Sequence, residues 1–477
     1  MLFNSIEYAV FLPIVFLLYW FVFNKNLRLQ NLFIVVVSYF FYGWWDWRFL
    51  FLIAFTSLCG YVTGLLIKKF REEPGKAKAI NVLNIFVNLL ILGVFKYYDF
   101  FVTSFAELFL GGRTDGLLLK VILPVGVSFY TFQVLSYSID VYRGKMEPTR
   151  DIIQFYAYVS FYPQLVAGPI ERATNLLPQF AKPRTFDYET GVDGMRQILW
   201  GMFKKMVVAD NCAVYVDQVF SSYQTQSGST LLLAAIFFAF QIYGDFSGYS
   251  DIAIGTAKLF GIKLMRNFDV PYFSRDIAEF WRRWHISLTT WFRDYVYIPM
   301  GGSQCSKWKI VRNTFVIFLL SGFWHGANWT FIVWGAYHAL LFLPLILMGK
   351  NRKYRDVVAE NRFLPTFKEL GQIVLTFFLV VVGWIIFRAE NLGEAWAYLK
   401  GICSASLFKR PDISGVTGFT LAIVLMVLVE WAQRKQSHAF DLNTVKSELL
   451  RYVAYLAIVF ITFALGGRAE NFIYFQF

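Results

Sequence analysis

The chain has 477 residues, of which 57% are hydrophobic, 20% are aromatic and only 16% are charged. Soluble globular proteins carry roughly 25% charged residues, so this composition excludes a soluble globular protein and indicates a membrane protein. The net charge of +13 lies largely in short loops beside apolar runs, as in "KKFREEPGKAK" at 68–78 and "GKNRKYR" at 349–355. Such loops are typical of the positive-inside bias of membrane proteins and not of a nucleic-acid-binding surface.

Apolar runs follow one another along the chain, at residues 8–23, 32–45, 49–67, 80–95, 117–141, 231–246, 314–348, 367–387, 416–431 and 449–465. A helix of roughly 20 apolar residues crosses the hydrocarbon core, and backbone groups in lipid must be paired within helices or closed barrels. We therefore predict an all-α, polytopic integral membrane protein with about eleven crossings, plus re-entrant and interfacial helices. We expect a single transmembrane domain over residues 1–477.

The basic loops predict an orientation. The start "MLFNSIEY" is not basic and no small-residue cleavage site follows the first run, which favours a retained span over a signal peptide. Lys25 and Arg28 follow this run and the 68–78 loop follows the third, so both loops are predicted cytoplasmic and the N-terminus external. "QRK" at 433–435 then sends the last span outward. Between residues 150 and 300 the rule gives no clear answer.

The segment "AFQIYGDFSGYSDIAIG" at 239–255 places Gln241, Asp245 and Asp251 in an otherwise apolar span. Buried carboxylates in a membrane mark either hydrogen bonds between helices or a functional site. Both interpretations remain open from the sequence, and Asp245 is kept as a candidate site residue.

A second candidate segment is "SRDIAEFWRRWHISLTTWFRDYVYIPMGG" at 274–302. Helical spacing predicts one amphipathic helix whose apolar stripe contains Trp281, His285, Leu288 and Phe292. His285 would then lie on a Trp-rich interfacial helix, either as part of a site or as part of a simple interfacial belt. Arg282 and Arg283 point elsewhere, where cations at the membrane surface contact lipid headgroups.

The third segment is "LLSGFWHGANWTFIVWGAYHALL" at 319–341, which contains two of the four histidines. Arg312 and Lys350 flank the apolar region, so we predict a hairpin that enters the membrane and returns, with its turn in "GFWHGANW". His325 would lie about 19 Å along the first helix. A neutral imidazole there either accepts a proton from a hydroxyl or bonds across helices.

The other histidines receive weaker predictions. His338 sits in a smoother helical run, and we expect it to be mainly structural. His438 lies in the polar loop "QRKQSHAF", where we expect a solvated side chain.

The sequence contains no motif for a metal or a redox cofactor. Its four cysteines are isolated, and it has no P-loop, HExxH or dinucleotide fingerprint. We therefore expect no metal ligands and no bound cofactor.

Taken together, "EFWRRWHISLTTWFRDYVYIPMGG" and "SGFWHGANWTFIVWGAYH" closely resemble the signature of the membrane-bound O-acyltransferase (MBOAT) superfamily, in its bacterial alginate O-acetylation branch. Further similar pieces, in the same order, are "PVGVSFYTFQVLSYSIDVYRG", "SFYPQLVAGPIER", "DFSGYSDIAIG" and the terminal "FIYFQF". The resemblance covers essentially the whole chain and implies a helical bundle in the bacterial inner membrane.

The resemblance also implies a reaction. An acyl group from a cytoplasmic thioester, acetyl-CoA in this branch, would cross a thin waist toward a polysaccharide outside, through a separate serine-type acyltransferase. His325 matches the superfamily's essential histidine and is predicted to be the general base, and His285 would orient the donor or polarise the thioester. We expect contributions to the waist or to substrate contact from Trp324, Asn328, Trp329, Asp245, Arg282 and Arg283.

Two alternatives stay open at this point. The first is D-alanyl transfer to teichoic acid from a carrier-protein thioester, which would need a docking surface that the sequence does not reveal. The second is a transporter without covalent chemistry, which predicts a continuous polar path or inverted repeats. We find neither in the sequence.

Overall fold

A computed structural model describes residues 1–114, 116–166, 168–467, 470 and 472–473. Across these residues the regular elements are helices and no strand occurs, which confirms the all-α prediction. The helices pack as two compact units, one comprising Met1–Gly194 and Thr256–Met265 and the other Met195–Gly255 and Arg266–Phe477. The expectation of one domain over residues 1–477 stays a prediction.

Over the described residues, the first unit contains nine α-helices. Capping side chains and a proline fix where several of them begin. Ser5 and Asn26 accept backbone N–H groups at the starts of the first two helices, and Pro74 opens the fourth, where it needs no N–H partner. The helices are α1 (Ile6–Leu17), α2 (Leu27–Gly43), α3 (Leu50–Lys69), α4 (Pro74–Leu92), α5 (Tyr98–Phe109), α6 (Val127–Tyr142), α7 (Ile152–Ser160), α8 (Tyr162–Leu165) and α9 (Ala173–Phe180).

The remaining helices lie wholly or mostly in the second unit. They are α10 (Tyr188–Met202), α11 (Asp210–Ser221), α12 (Gly228–Leu259), α13 (Ile277–Arg283), α14 (Ile286–Phe292), α15 (Lys307–His325), α16 (Trp329–Leu347), α17 (Phe367–Arg388), α18 (Leu392–Ile402), α19 (Thr417–Ala432) and α20 (Glu448–Leu465). A π-helical segment, Phe203–Ala209, joins α10 to α11. Such segments are rare and frequently occur at functional sites.

Six helices in the described part of the chain are long and apolar enough to cross a membrane: Trp47–Lys69, Pro74–Phe109, Gly228–Leu259, Trp329–Leu347, Phe367–Arg388 and Glu448–Leu465. Three shorter apolar helices accompany them. The multi-pass prediction is thus confirmed, whereas the count of about eleven crossings stays a prediction. The apolar run at 117–141 is helical only from Val127, so its helix is shorter than the run predicted.

The predicted hairpin of two helices is confirmed, whereas its path into the membrane and back stays a prediction. Helices α15 and α16 pack against each other, and Asn328 begins α16 by accepting the Thr330 N–H at 3.0 Å. Glycines permit the close packing, because a Cβ on Gly322 would overlap the carbonyl oxygen of Phe331. His325 is the last residue of α15, next to the turn.

The prediction of one amphipathic helix around His285 was wrong. The segment forms two short helices, α13 and α14, with a break at Trp284 and His285. The break is stabilised by Asn267, whose backbone oxygen accepts the Ile286 N–H at 2.9 Å and whose side chain accepts the Ser287 N–H at 3.3 Å. These bonds replace the i to i−4 bonds of a continuous helix, and helical spacing alone does not reveal them.

His438 was also predicted wrongly. Its side chain is buried, and its Nδ1 accepts the Phe440 N–H at 3.3 Å. The polar letters around it predicted solvent exposure, but the loop after α19 folds back onto the protein.

We predict that Gly322→Ala destabilises the second unit by about 1–3 kcal/mol, because the added methyl group overpacks the α15–α16 contact. Thermal unfolding of the purified protein in detergent measures this effect. Gly371→Ala is the matched control, since a Cβ there meets nothing within 4 Å. Equal melting temperatures for the two variants would contradict the proposed close packing.

Candidate active site

His285 and His325 lie 40 positions apart in the sequence, and the second unit brings them together. Their ring centroids are 6.4 Å apart with an interplanar angle of 79°. The indole of Trp324 contacts both rings, at 5.8 Å from His285 and 5.0 Å from His325. The histidines are only 1% and 3% exposed, so the pair forms a buried site.

The tautomer of His325 follows from its helix. Its Nδ1 lies 2.6 Å from the carbonyl oxygen of Ser321, one turn earlier in α15. A carbonyl oxygen only accepts hydrogen bonds, so Nδ1 carries the proton. In neutral His325, the lone pair that accepts a proton is therefore on Nε2.

The tautomer of His285 follows from Asn267. Its Nδ1 lies 3.1 Å from Asn267 Oδ1, the atom that also accepts the backbone N–H and the hydroxyl of Ser287. The Ser287 N–H can only donate, which identifies this amide atom as oxygen. Nδ1 of His285 therefore carries the proton, and Nε2 carries the lone pair.

His285 Nε2 is buried and has no hydrogen-bond partner among the described residues. An unsatisfied buried polar atom costs roughly 1–3 kcal/mol. The residue also has a left-handed backbone, with φ 45° and ψ 54°, which is unfavourable for a side chain with a Cβ. Unsatisfied atoms and backbone strain concentrate at functional sites, and both occur at this histidine.

Aromatic rings surround the histidine pair. Phe246 packs 4.7 Å from His285, while Trp334 and Phe387 pack 5.1 Å and 5.6 Å from His325. Such a shell lowers the local dielectric and strengthens electrostatic interactions in the site.

The other predicted site residues have different positions. Asn328 donates to the Glu390 carbonyl at 2.8 Å and thereby ties the hairpin turn to the segment after α17. Trp329 is 51% exposed at the start of α16, and its contribution to the waist stays a prediction. Asp245 is buried, and its carboxylate binds Lys205 at 2.8 Å.

Beside the histidines, the second unit contains a pocket of about 660 Å³ with an arginine-rich wall, a volume in the range of small-molecule sites. The wall includes the predicted Arg282 and Arg283 and three arginines that the sequence reasoning missed. The lining also has an apolar part. The arginines are Arg282, Arg283, Arg293, Arg352 and Arg355, and the apolar part includes Trp281, Ile317, Phe318, Phe342 and Ile346.

The two predicted arginines have structural partners. Arg282 donates to the carbonyl oxygens of Asn351, at 2.7 Å, and of Tyr354, and so holds the 350–356 loop against α13. Arg283 pairs with Asp269 at 2.6 Å and with Glu279 at 3.0 Å. Their charges are thus partly committed before any ligand binds.

Arg293 is exposed and pairs with Asp294 at 2.7 Å. The other exposed arginines of the pocket lining are Arg352 and Arg355. They belong to the basic loop "GKNRKYR", whose charge the sequence analysis attributed only to membrane orientation. The loop is anchored nearby, where Arg275 binds Asp356 at 3.1 Å. This hydrogen bond lowers the pKa of the Asp356 carboxyl below its usual value.

The pocket approaches the histidine pair through tryptophans. Trp281, in the pocket wall, lies 5.5 Å from Trp334, whose ring contacts His325. Trp281 Nε1 also donates to His338 Nδ1 at 3.4 Å. His338 thus supports the wall, and its mainly structural role stays a prediction.

Two buried histidines in an aromatic site, beside a pocket lined by arginines in a multi-pass helical protein, fit the class of membrane enzyme that transfers an activated group. Comparison with known families specifies the group. Residues 39–363 match the model of MBOAT, the membrane-bound O-acyltransferase family. The chain belongs to this family and is an O-acyltransferase.

Individual relatives support this assignment. The chain is 39% identical over 438 residues to the "Probable alginate O-acetylase AlgI" of Pseudomonas aeruginosa, covering 91% of this chain and 81% of the relative. It is 31% identical to the peptidoglycan O-acetyltransferase of Helicobacter pylori, covering 100% and 98% of the two chains. A teichoic acid D-alanyltransferase of Bacillus subtilis is 28% identical over 56% of this chain and 69% of its own length.

We predict that Asn267→Leu lowers acyl transfer about tenfold or more, because His285 loses the acceptor that selects its Nδ1–H tautomer. The measurement is ester-linked acyl group on the cell's surface glycan at equal protein level. Ser250→Ala is the control, since it removes only the 3.2 Å bond from Asn267 Nδ2. If Asn267→Leu behaves like Ser250→Ala, the tautomer assignment is wrong.

Proposed function

We propose that the chain moves an acetyl group from acetyl-CoA in the cytoplasm, across the bacterial inner membrane, toward hydroxyl groups of an extracytoplasmic polysaccharide. The observation that carries this proposal is the buried pair of His285 and His325, each with its lone pair on Nε2. The named relatives act by O-acetylation on alginate and on peptidoglycan, which supports an acetyl group and a glycan acceptor.

In the proposed reaction, Nε2 of His325 is the general base. It removes the proton of an acceptor hydroxyl while the oxygen attacks the thioester carbonyl carbon. The new C–O bond forms, the C–S bond breaks, and the departing thiolate takes up the proton that His325 holds. A thioester is activated enough for this chemistry once the two reactants are held together in a dry site.

His285 has a narrower role than the sequence reasoning allowed. In the tautomer that Asn267 selects, neutral His285 presents a lone pair from Nε2 and no N–H. It therefore accepts a hydrogen bond from the donor or the acceptor, whereas polarising the thioester carbonyl would require the imidazolium. We assign it to orienting a substrate that offers an N–H or O–H group.

The arginine-rich pocket is the proposed donor site. Arg352 and Arg355 would bind the phosphates of coenzyme A, because guanidinium groups pair well with phosphate oxygens. The apolar wall would hold the pantetheine arm, whose thioester end points along Trp281 and Trp334 toward His325. The volume of about 660 Å³ suits a ligand of this size class.

We further propose that a separate extracytoplasmic acyltransferase with a serine nucleophile completes the transfer to the polysaccharide. The support for this partner is the resemblance to the alginate O-acetylation branch. A multi-pass helical enzyme delivers the acyl group through the bilayer, and an enzyme outside selects the sugar hydroxyl.

The second candidate is D-alanyl transfer to teichoic acid from a carrier-protein thioester. The similarity to a teichoic acid D-alanyltransferase over 56% of this chain favours it. Membership in an acyltransferase family, in turn, disfavours the transporter alternative. The two acyl-transfer candidates differ in whether the donor carries a nucleotide.

We predict that His325→Ala lowers ester-linked acetyl on the surface glycan at least about a hundredfold, the contribution expected of a general base. His438→Asn is the matched control, because the asparagine oxygen replaces Nδ1 as acceptor for the Phe440 N–H. Immunoblotting establishes equal amounts of the two variants in membranes. Wild-type acetylation in the His325→Ala strain would disprove the proposed role.

We predict that the Arg352→Ala/Arg355→Ala variant raises the KM for acetyl-CoA about three- to tenfold, with kcat unchanged, because two exposed phosphate contacts are lost. Lys353→Ala, on the same loop but outside the pocket wall, is the control. Acetyl-pantetheine, which has no nucleotide or phosphate, should show no difference between wild type and variant. An equal penalty with both donors would contradict phosphate binding at this wall.

A further inference from the structure

A buried ionic cluster in the second unit holds the C-terminal segment. Lys205 is 1% exposed and pairs with Asp210 at 2.7 Å and with Asp245 at 2.8 Å. Its ammonium group also donates to the Glu470 carbonyl at 3.0 Å. Asp245 in turn accepts the Ile473 N–H at 2.7 Å. Two members of one ion cluster therefore bind the backbone of the same terminal segment.

Local structure supports this cluster. Lys205 lies in the π-helical segment Phe203–Ala209, and Asp245 lies on α12. Glycine allows close packing here, since a Cβ on Gly248 would lie 3.1 Å from the backbone nitrogen of Lys205 and 2.8 Å from the backbone oxygen of Gly201. Desolvating three charged groups is costly. The ion pairs and the hydrogen bonds to the terminal backbone offset part of this cost.

The C-terminal segment also has a second set of contacts near its entry. The Gly467 N–H donates to the Met206 carbonyl at 3.0 Å, and Asn211 Nδ2 donates to the Leu465 carbonyl at 2.8 Å. The segment is thus tied to the Lys205 region at its start and to the ion cluster further along.

The clamped segment reaches the candidate active site through one aromatic ring. Phe472, which is fully buried, packs 4.5 Å from Tyr249 and 5.9 Å from Phe246. Phe246 in turn packs against His285, with 4.7 Å between the ring centroids. Displacement of Phe472 would leave a space beside Phe246 and loosen the ring that packs against His285.

We propose that Lys205 and Asp245 are positioning residues that clamp the backbone of the C-terminal segment and thereby hold Phe472 and Phe246 against His285. Asp245 thus acts on the site through the terminal segment and not by lining a substrate path. The inference rests on the proposed function, because it takes His285 as part of the acyl-transfer site.

The test must avoid an unpaired buried charge, since Lys205→Met alone leaves two carboxylates without their cation and endangers folding. Two charge-neutral variants solve this problem. Both contain Lys205→Met and Asp210→Asn, and they differ at one position, Asp245→Asn or Asp245→Leu. The asparagine keeps an oxygen for the Ile473 N–H, whereas the leucine removes it.

The position of the segment is read by maleimide labelling of Ile473→Cys, with the four native cysteines replaced by alanine. Ile473 is buried, so labelling of the parent should be slow. We expect the leucine variant to label at least tenfold faster than the parent. The asparagine variant lacks the Lys205 bond to Glu470 but keeps an acceptor for the Ile473 N–H, so its labelling should lie between the two. His285→Asn should leave labelling unchanged, because the histidine does not bind the segment.

Acyl transfer is measured in matching strains that keep Ile473. The leucine variant should lose at least tenfold in ester-linked acyl group, and the asparagine variant should lose less. Slow labelling of the leucine variant would disprove the clamp, as would equally fast labelling of both variants. Fast labelling with full transfer would disprove the link to His285. If the parent transfers no acyl group, the proposed function fails, while labelling still decides the clamp.

Discussion

The hydrogen bond between Asn267 Oδ1 and His285 Nδ1 is the interaction on which the rest of the site depends. One oxygen atom receives the imidazole N–H, the Ser287 N–H and the Ser287 hydroxyl. It selects the histidine tautomer. It also accepts the Ser287 N–H, which has lost its helical partner at the break. In a continuous α13–α14 helix, the Ser287 N–H would instead bond to a carbonyl oxygen one turn earlier.

The second histidine reaches the same place by a different physical route. His325 terminates α15, and the carbonyl of Ser321 in its own helix orients the ring. Its position depends on how closely α15 packs against α16, and glycines such as Gly322 allow this close packing. The position of His285 therefore depends on the Asn267 side chain, and that of His325 on glycines at the α15–α16 contact. Both rings present Nε2 as the acceptor.

Much of this could be predicted from the sequence. Apolar runs and flanking charges predicted the helical class, the hairpin and the location of His325 at its turn. The break at His285 could not be predicted, because it depends on Asn267, which lies 18 residues earlier in a short loop. Helical spacing describes only contacts within one segment. The same limit explains His438, whose burial depends on how its loop folds back.

The arginines show why charge alone is ambiguous in a membrane protein. A basic loop such as 349–355 satisfies the topological bias whatever else it does, so its composition does not separate orientation from ligand binding. The fold separates them: Arg282 is committed to loop carbonyls, whereas Arg352 and Arg355 are exposed in the wall of a pocket. Asp245 is the converse case. Its burial in an apolar span suggested a substrate site, but its carboxylate oxygens bind Lys205 and a backbone N–H. The physical criterion in both cases is whether the polar atoms remain available after folding, and His285 Nε2 meets it.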